Sequence, residues 1–146
     1  MYVEKASANN LKALVNLVLE LWSDSSFDEE IGNYTKVIDA DDQICFLFKD
    51  KEDYIAFIHV STRYDYVEGS DSLPVAYVEG IYAQPSFRCK GIARNLMEAA
   101  EQWAKGKGYS QLASDTGLSN ADSIGFHKMV GFHEVGKLIC FIKDIK

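Results

Sequence analysis

The sequence predicts an α/β (α+β) fold: a single domain with a mixed central β-sheet flanked by helices. Three observations point to it. Segments with apolar residues at helical spacing are interspersed with short runs of β-formers. The strand–helix–strand order of the second half requires at least one parallel strand pair. The length of 146 residues suits one domain, 1–146, and an apolar content of 47% is enough for a core without disulfide or metal staples.

The elements follow in order. After a first short strand, residues 9–22 place Leu11, Leu14, Val15, Val18, Leu21 and Trp22 on one helical face, with Asn9 or Asn10 as the cap. A looser helix covers 28–38 and ends near Asp39 to Asp42. Ile44 to Phe48 and Tyr54 to Val60 are strands joined by a polar hairpin turn, Lys49 to Asp53. Residues 61–73 form a polar loop carrying Tyr64, Asp65, Tyr66, Glu68 and Asp71. A long strand spans Val75 to Tyr82, with Glu79 standing inside its apolar run. Residues 91–105 are helical, with Ile92, Leu96, Ala100 and Trp103 on one face, and Gly106 and Gly108 end the helix. Gln111 to Asp115 is a short strand. Asn120 to Met129 is a short helix stopped by Gly131. Val135 to Ile142 reads as a closing strand of the sheet.

Charge and composition exclude several classes. The net charge of −7 opposes non-specific nucleic-acid binding and permits a cationic partner. No apolar run is long enough to span a bilayer, and the N-terminus lacks the pattern of a signal peptide, so a cytoplasmic protein is expected. Cys45, Cys89 and Cys140 are odd in number and widely spaced. They read as reduced thiols and give no metal-ligand pattern.

The chemistry is concentrated in Tyr82-Ala83-Gln84-Pro85-Ser86-Phe87-Arg88-Cys89-Lys90-Gly91-Ile92-Ala93. A strand ends, a basic loop follows and a helix begins. Gly91 lets successive amides turn into one cup, and the helix N-terminus adds its positive dipole end. Together these suit a phosphate group. Residues 80–97 hold Arg88, Lys90 and Arg94 and no acid, in a chain with 22 acids and 15 bases. The glycine spacing is neither that of a nucleoside-triphosphate loop nor that of a dinucleotide fingerprint. A plain glycine turn between strand and helix is the alternative reading of the spacing alone.

Arg88-x-x-Gly91-x-Ala93, following Gly80-Ile81-Tyr82-Ala83, resembles the coenzyme A pyrophosphate motif of the GNAT N-acetyltransferases. The segment from Asn120 to Gly131-Phe132 is similar to the second cofactor segment of that family. The resemblance implies acetyl-CoA as co-substrate. It implies that the amides of Ile81, Tyr82 and Ala83 bind the pantetheine arm, that Arg88, Cys89, Lys90, Gly91, Ile92, Ala93 and Arg94 bind the pyrophosphate, and that Asn120 touches the pantetheine. Many members carry a tyrosine four residues before the Gly-Phe pair, near the departing sulfur. This chain has His127 there.

A narrower resemblance lies outside those motifs. Leu21-Trp22, Arg63-x-Asp65-Tyr66-Val67-x-Gly69-x-Asp71-Ser72-x-Pro74-Val75, Glu79-Gly80-Ile81, Pro85 to Arg88 and Ala113-Ser114-Asp115-Thr116 look like the chromosomal-type aminoglycoside 6′-N-acetyltransferases. This implies an aminoglycoside site lined by Trp22, Tyr66, Glu79 and Asp115, and a homodimer. Position 136 often carries an acid in that branch; here it is Gly136. Physical chemistry agrees, because carboxylates bind ammonium groups and aromatic faces hold cations and sugar rings. The expected mechanism is direct acyl transfer. Glu79 or Asp115, through a water, takes a proton from the amine, and amides near Ile81 and Tyr82 polarise the thioester oxygen. Acetylation of another amine, such as a polyamine or a peptide, and a non-catalytic acyl-CoA sensor are the rival readings.

Overall fold

The computed structural model describes residues 1–146. Five strands form one sheet in the spatial order β1-β2-β3-β4-β5: β1 (Tyr2–Lys5), β2 (Gln43–Asp50), β3 (Asp53–Arg63), β4 (Val75–Ala83) and β5 (Leu112–Ala113). The first four are antiparallel. β5 runs parallel to β4 through Ala76–Leu112 and Tyr77–Ala113, the parallel pair that the strand–helix–strand order requires.

Helices α1 (Leu11–Leu21) and α2 (Phe27–Asp39) cover one face of the sheet, and α3 (Ile92–Gly106) covers the other. α4 (Ala121–Met129) follows β5, and a single 3₁₀ turn at Pro85–Phe87 precedes α3. Leu14, Val15, Leu17 and Val18 of α1 pack with Phe57, Leu47 and Tyr34. Leu96, Met97 and Ala100 of α3 pack with Ile58, Val60 and Val78. Each face of the sheet therefore has its own apolar core.

Capping differs from helix to helix. Ser26 accepts the Glu29 amide at 3.2 Å and caps α2, whose first turn holds Asp28, Glu29 and Glu30 against the positive helix end. Asn10 precedes α1 but does not cap it with its side chain. Its Oδ1 accepts the Ser7 amide at 2.8 Å and its Nδ2 donates to the Lys5 carbonyl at 3.2 Å. Buried at the end of β1, that amide satisfies backbone groups of the connecting turn in preference to the helix.

The expected closing strand does not form within the chain. Residues 133–146 carry no regular secondary structure, and Leu138, Ile139, Phe141 and Ile142 are exposed. The run has the composition of a strand. A strand also needs a neighbouring strand to take its backbone groups; Val135 and Gly136 run against the loop at Glu68 and Gly69, and no strand of the sheet pairs with the run.

The face carrying α2 holds a half-buried polar chain. The Tyr34 hydroxyl lies 3.4 Å from His59 Nδ1, and His59 Nε2 lies 2.9 Å from Gln43 Oε1. The Gln43 carbonyl oxygen can only accept, so Nε2 carries the hydrogen and the neutral ring accepts from Tyr34. Burial holds His59 below the usual imidazole range, against the opposing pull of Glu79 and Glu30. The folded chain thus resists protonating this ring, whereas the unfolded chain protonates it below about 6.5. Stability is expected to be intact above that pH and to fall as the pH drops through it toward the folded value. Urea midpoints measured between pH 7.5 and 5 should decline less steeply for His59→Gln than for the unaltered chain. Parallel declines would assign the acid sensitivity to other groups.

Candidate active site

The loop before α3 is built to receive an anion. Cys89 and Gly91 both adopt left-handed backbone, with φ of 61° and 81°. This places Lys90 between two reversed turns and curls the amides inward. The backbone N–H groups of Cys89, Lys90, Gly91, Ile92, Ala93 and Arg94 find no backbone acceptor in the chain. No side chain caps α3, whereas Ser26 caps α2 and Asn120 caps α4. A run of unpaired donors at a helix N-terminus can receive an anion.

Arg88 is the exception within the loop. Its own amide donates to the Pro85 carbonyl at 3.3 Å, and its Nε donates to the Ala83 carbonyl at 2.9 Å. The guanidinium therefore closes the end of β4. The amide cup begins one residue later, at Cys89.

β4 changes phase at Glu79. Ala76 and Val78 face the α3 core, and so do Ile81 and Ala83, while Tyr82 faces the α1 core. The step from 78 to 81 reverses the two-residue alternation. The register explains it: His59 pairs with Gly80 and Val60 pairs with Val78, so Glu79 has no partner on β3. Glu79 is the extra residue of a β-bulge, which turns side chains out of the regular pleat. Gly80 is then required, because a β-carbon there would lie 2.4 Å from the Trp22 ring. Trp22 thus packs directly over the bulge.

The Glu79 carboxylate is held by three side-chain groups. Its Oε1 accepts from Ser61 Oγ at 2.6 Å, Arg63 Nε at 3.1 Å and Arg63 Nη2 at 3.0 Å, and its Oε2 accepts from Arg63 Nη2 at 3.0 Å. The Arg63 guanidinium carbon lies 3.5 Å from the centre of the Tyr77 ring. The Tyr77 hydroxyl donates to Asp115 Oδ2. Burial, and then the hydrogen bond to Asp115, push the Tyr77 phenol up to about 12, so it stays protonated and keeps donating. Glu79 and Asp115 are thereby joined through Arg63 and Tyr77.

β4 and β5 part just beyond this point. β5 pairs with Ala76 and Tyr77 alone, so β4 from Val78 to Ala83, including Ile81 and Tyr82, has no strand on that side. A strand edge left open can hydrogen-bond an extended ligand arm. The open edge leads from Glu79 toward the amide cup before α3.

The other expected site residues are placed less centrally. Asn120 is the N-cap of α4, and its Oδ1 accepts the Ser123 amide at 3.1 Å. Tyr66 is 78% exposed, and its hydroxyl donates to Glu68 rather than reaching Glu79 or Asp115. His127 Nδ1 lies 2.7 Å from the Ser123 carbonyl and so carries the hydrogen. Its Nε2 lies 2.8 Å from Ser114 Oγ.

Known proteins share this fold. A family model described as acetyltransferase (GNAT) family matches residues 11–132. The chain belongs to the GNAT acetyltransferase family. It is 34% identical over 138 residues to the aminoglycoside N(6′)-acetyltransferase type 1 of Serratia marcescens, covering 94% of each chain. It is 33% identical over 143 residues to the protein of the same name from Salmonella typhimurium, covering 98% of this chain and 99% of that one. Among solved structures, AAC(6′)-Iy in complex with the bisubstrate analog CoA-S-monomethyl-acetylneamine superposes with a TM-score of 0.95 at 32% identity, covering 99% of this chain and 98% of that one. The aminoglycoside 6′-N-acetyltransferase AAC(6′)-IG from Acinetobacter haemolyticus superposes with a TM-score of 0.92 at 33% identity over all of both chains.

Sequence reasoning assigned no role to Tyr77 or Ser61 and gave Arg63 only a place in a motif. The apolar run Val75-Ala76-Tyr77-Val78 carries no polar alternation, so the face of Tyr77 was not legible. The detectable signal was the acid followed by glycine, Glu79-Gly80, in a strand: a pair that marks a bulge.

Proposed function

We propose that this GNAT enzyme transfers the acetyl group of acetyl-CoA to the 6′-amino group of aminoglycosides of the kanamycin, tobramycin and amikacin type, and so gives antibiotic resistance. The observation that carries this reading is the full-length likeness to a 6′-N-acetyltransferase solved with a CoA–aminoglycoside analog. The acidic, aromatic face beside β4 gives it a chemical basis, since aminoglycosides are rigid polycations.

The residues take the following parts. The cup of amides from Cys89 to Arg94, with Arg88 bracing its entrance through Ala83, holds the pyrophosphate. The β4 edge at Ile81, Tyr82 and Ala83, with Asn120 opposite, holds the pantetheine. Trp22, Tyr66, Glu79 and Asp115 line the acceptor site. The ammonium group loses a proton through water to Glu79 or Asp115. The neutral nitrogen then forms the new C–N bond at the thioester carbon, the C–S bond breaks, and the second proton lost by the nitrogen neutralises the departing thiolate, so that coenzyme A leaves as the thiol. Amides near Ile81 and Tyr82 take the developing charge on oxygen. No covalent enzyme intermediate is needed.

The whole chain, 1–146, acts as one catalytic domain in the cytoplasm, where acetyl-CoA is available, and it works as a homodimer. The exposed apolar run Leu138-Ile139-Cys140-Phe141-Ile142 supports the dimer, because an unpaired apolar strand is satisfied by a second chain. Light scattering after gel filtration should give twice the chain mass, and deletion of residues 137–146 should give a monomer. A monomeric full-length protein at micromolar concentration would remove the dimer.

The deciding experiment is a turnover assay with acetyl-CoA and tobramycin, with the product located by NMR. Acetylation at the 6′-amine is expected, with none at that position in an analogue bearing a 6′-hydroxyl. Turnover confined to polyamines or peptides would discard the aminoglycoside reading and leave the family assignment standing.

A further inference from the structure

We propose that Arg63 is a positioning residue for acetyl transfer, fixing both acceptor-site carboxylates from one guanidinium. The proposal rests on the reading of Glu79 and Asp115 as the groups that receive the amine. Three independent features of Arg63 support it.

The first is the bulge. Glu79 has no partner on β3, so the strand pairing that orients its neighbours does not orient it. Ser61 and Arg63, two residues apart on β3, share one face of that strand and supply the missing constraint. The second is geometry. Three charge-assisted hydrogen bonds reach Glu79, and the plane of the same group lies on the Tyr77 ring at 3.5 Å. The other cation–aromatic approaches in the chain lie at 5.1 to 5.9 Å. Only a planar fork can chelate a carboxylate with its edge while stacking a ring with its face. A solvent-exposed ion pair contributes little on its own, but this one reaches Asp115 through the Tyr77 hydroxyl.

The third is charge. Arg63 is the single base in residues 61–83, against Asp65, Glu68, Asp71 and Glu79. A cation inside a site meant for a polycation opposes substrate binding, so its presence needs another role. The hydrogen bonds show that role. Oε1 of Glu79 is saturated by three donors, while Oε2 accepts one and keeps a lone pair open. Arg63 thus presents a single oxygen in a single direction to the incoming ammonium group or its water.

Positioning and mere structural support give opposite signs in one measurement. In Arg63→Met the site becomes more acidic, so the Michaelis constant for tobramycin should stay unchanged or fall. Turnover should drop roughly ten- to a hundred-fold, as expected when a proton acceptor is misplaced by about 1 Å. The Michaelis constant for acetyl-CoA should not move, which also reports a folded protein. Arg63→Lys keeps the charge but not the fork, and should recover only a small part of the loss. In an Arg63→Met, Glu79→Gln double variant the two losses should not multiply, because Arg63 acts through Glu79.

Multiplying losses, full recovery by lysine, or a higher constant for tobramycin alongside lower turnover would each overturn the proposal. If Glu79→Gln is impaired and Arg63→Met is not, the positioning role alone fails. If Glu79→Gln and Asp115→Asn are both unimpaired, the reading beneath it fails as well.

Discussion

Turnover with tobramycin is expected to fall about a hundred- to ten-thousand-fold when Glu79 or Asp115 is replaced by alanine, the usual cost of losing a general base. The acceptor amine is protonated at neutral pH, and its nitrogen has no lone pair until that proton leaves. Glu79 projects from the β4 bulge beside Trp22, and Asp115 follows β5 where it parts from β4. Both carboxylates are tied to fixed donors, Arg63 and Ser61 for one and Tyr77 for the other, so each is held ready without substrate. Neither touches the amide cup at Cys89 to Arg94, so acetyl-CoA binding should persist in both variants. Steady-state rates should recover partly at high pH, where more of the amine is already neutral. In Glu79→Ala the Arg63 side chain is left unpaired, but at 43% exposure water can solvate it, and the protein should fold. Near-normal turnover at neutral pH in both single variants would show that neither carboxylate carries the proton.

The second large effect is expected at Gly91. Replacing it with valine should raise the Michaelis constant for acetyl-CoA at least roughly tenfold. The loss of one hydrogen bond to a charged group, worth about 1.5–3 kcal/mol, is enough for that. Two causes act together. The left-handed φ of 81° is strained for a β-branched residue, so the loop shifts to relieve it. On the proposed reading of the loop, the added side chain also stands in the path of the pyrophosphate toward the amides of Lys90 to Ala93. A β-carbon at Gly91 meets no protein atom within 4 Å, so overpacking does not account for the change. Calorimetric titration with acetyl-CoA checks this directly. Aminoglycoside binding without the co-substrate should change little. Unaltered acetyl-CoA affinity in a folded Gly91→Val protein would reject the loop as the pyrophosphate site.

The helices were legible because their signals are local. The spacing of Leu14, Val15 and Val18 drew α1, and Ile92, Leu96 and Ala100 drew α3, each to within one or two residues of its ends. Asn10 shows the limit of such reading. It stands at the cap position, yet the turn from β1 takes up its amide, and no propensity records that competition. The amide cup was equally local: Cys89 to Arg94 is one continuous segment, and its chemistry lies in consecutive amides. Even there, the use of the Arg88 guanidinium on Ala83 became visible only once the chain had folded.

What the sequence determined by itself is what neighbours along the chain decide: the order of the helices and of the first five strands, the basic glycine loop before α3, and the presence of an acid in an apolar strand. What the tertiary structure alone decided is what residues far apart in the chain decide. The β4 bulge depends on register against β3, and an almost wholly apolar run has no alternation from which that register can be read. The chain of contacts from Ser61 and Arg63 through Glu79 and Tyr77 to Asp115 joins the end of β3, the middle of β4 and the residues after β5, which the sequence separates. The C-terminal run reads as a strand by composition. Whether it becomes one depends on a partner for its backbone, and composition cannot supply that partner.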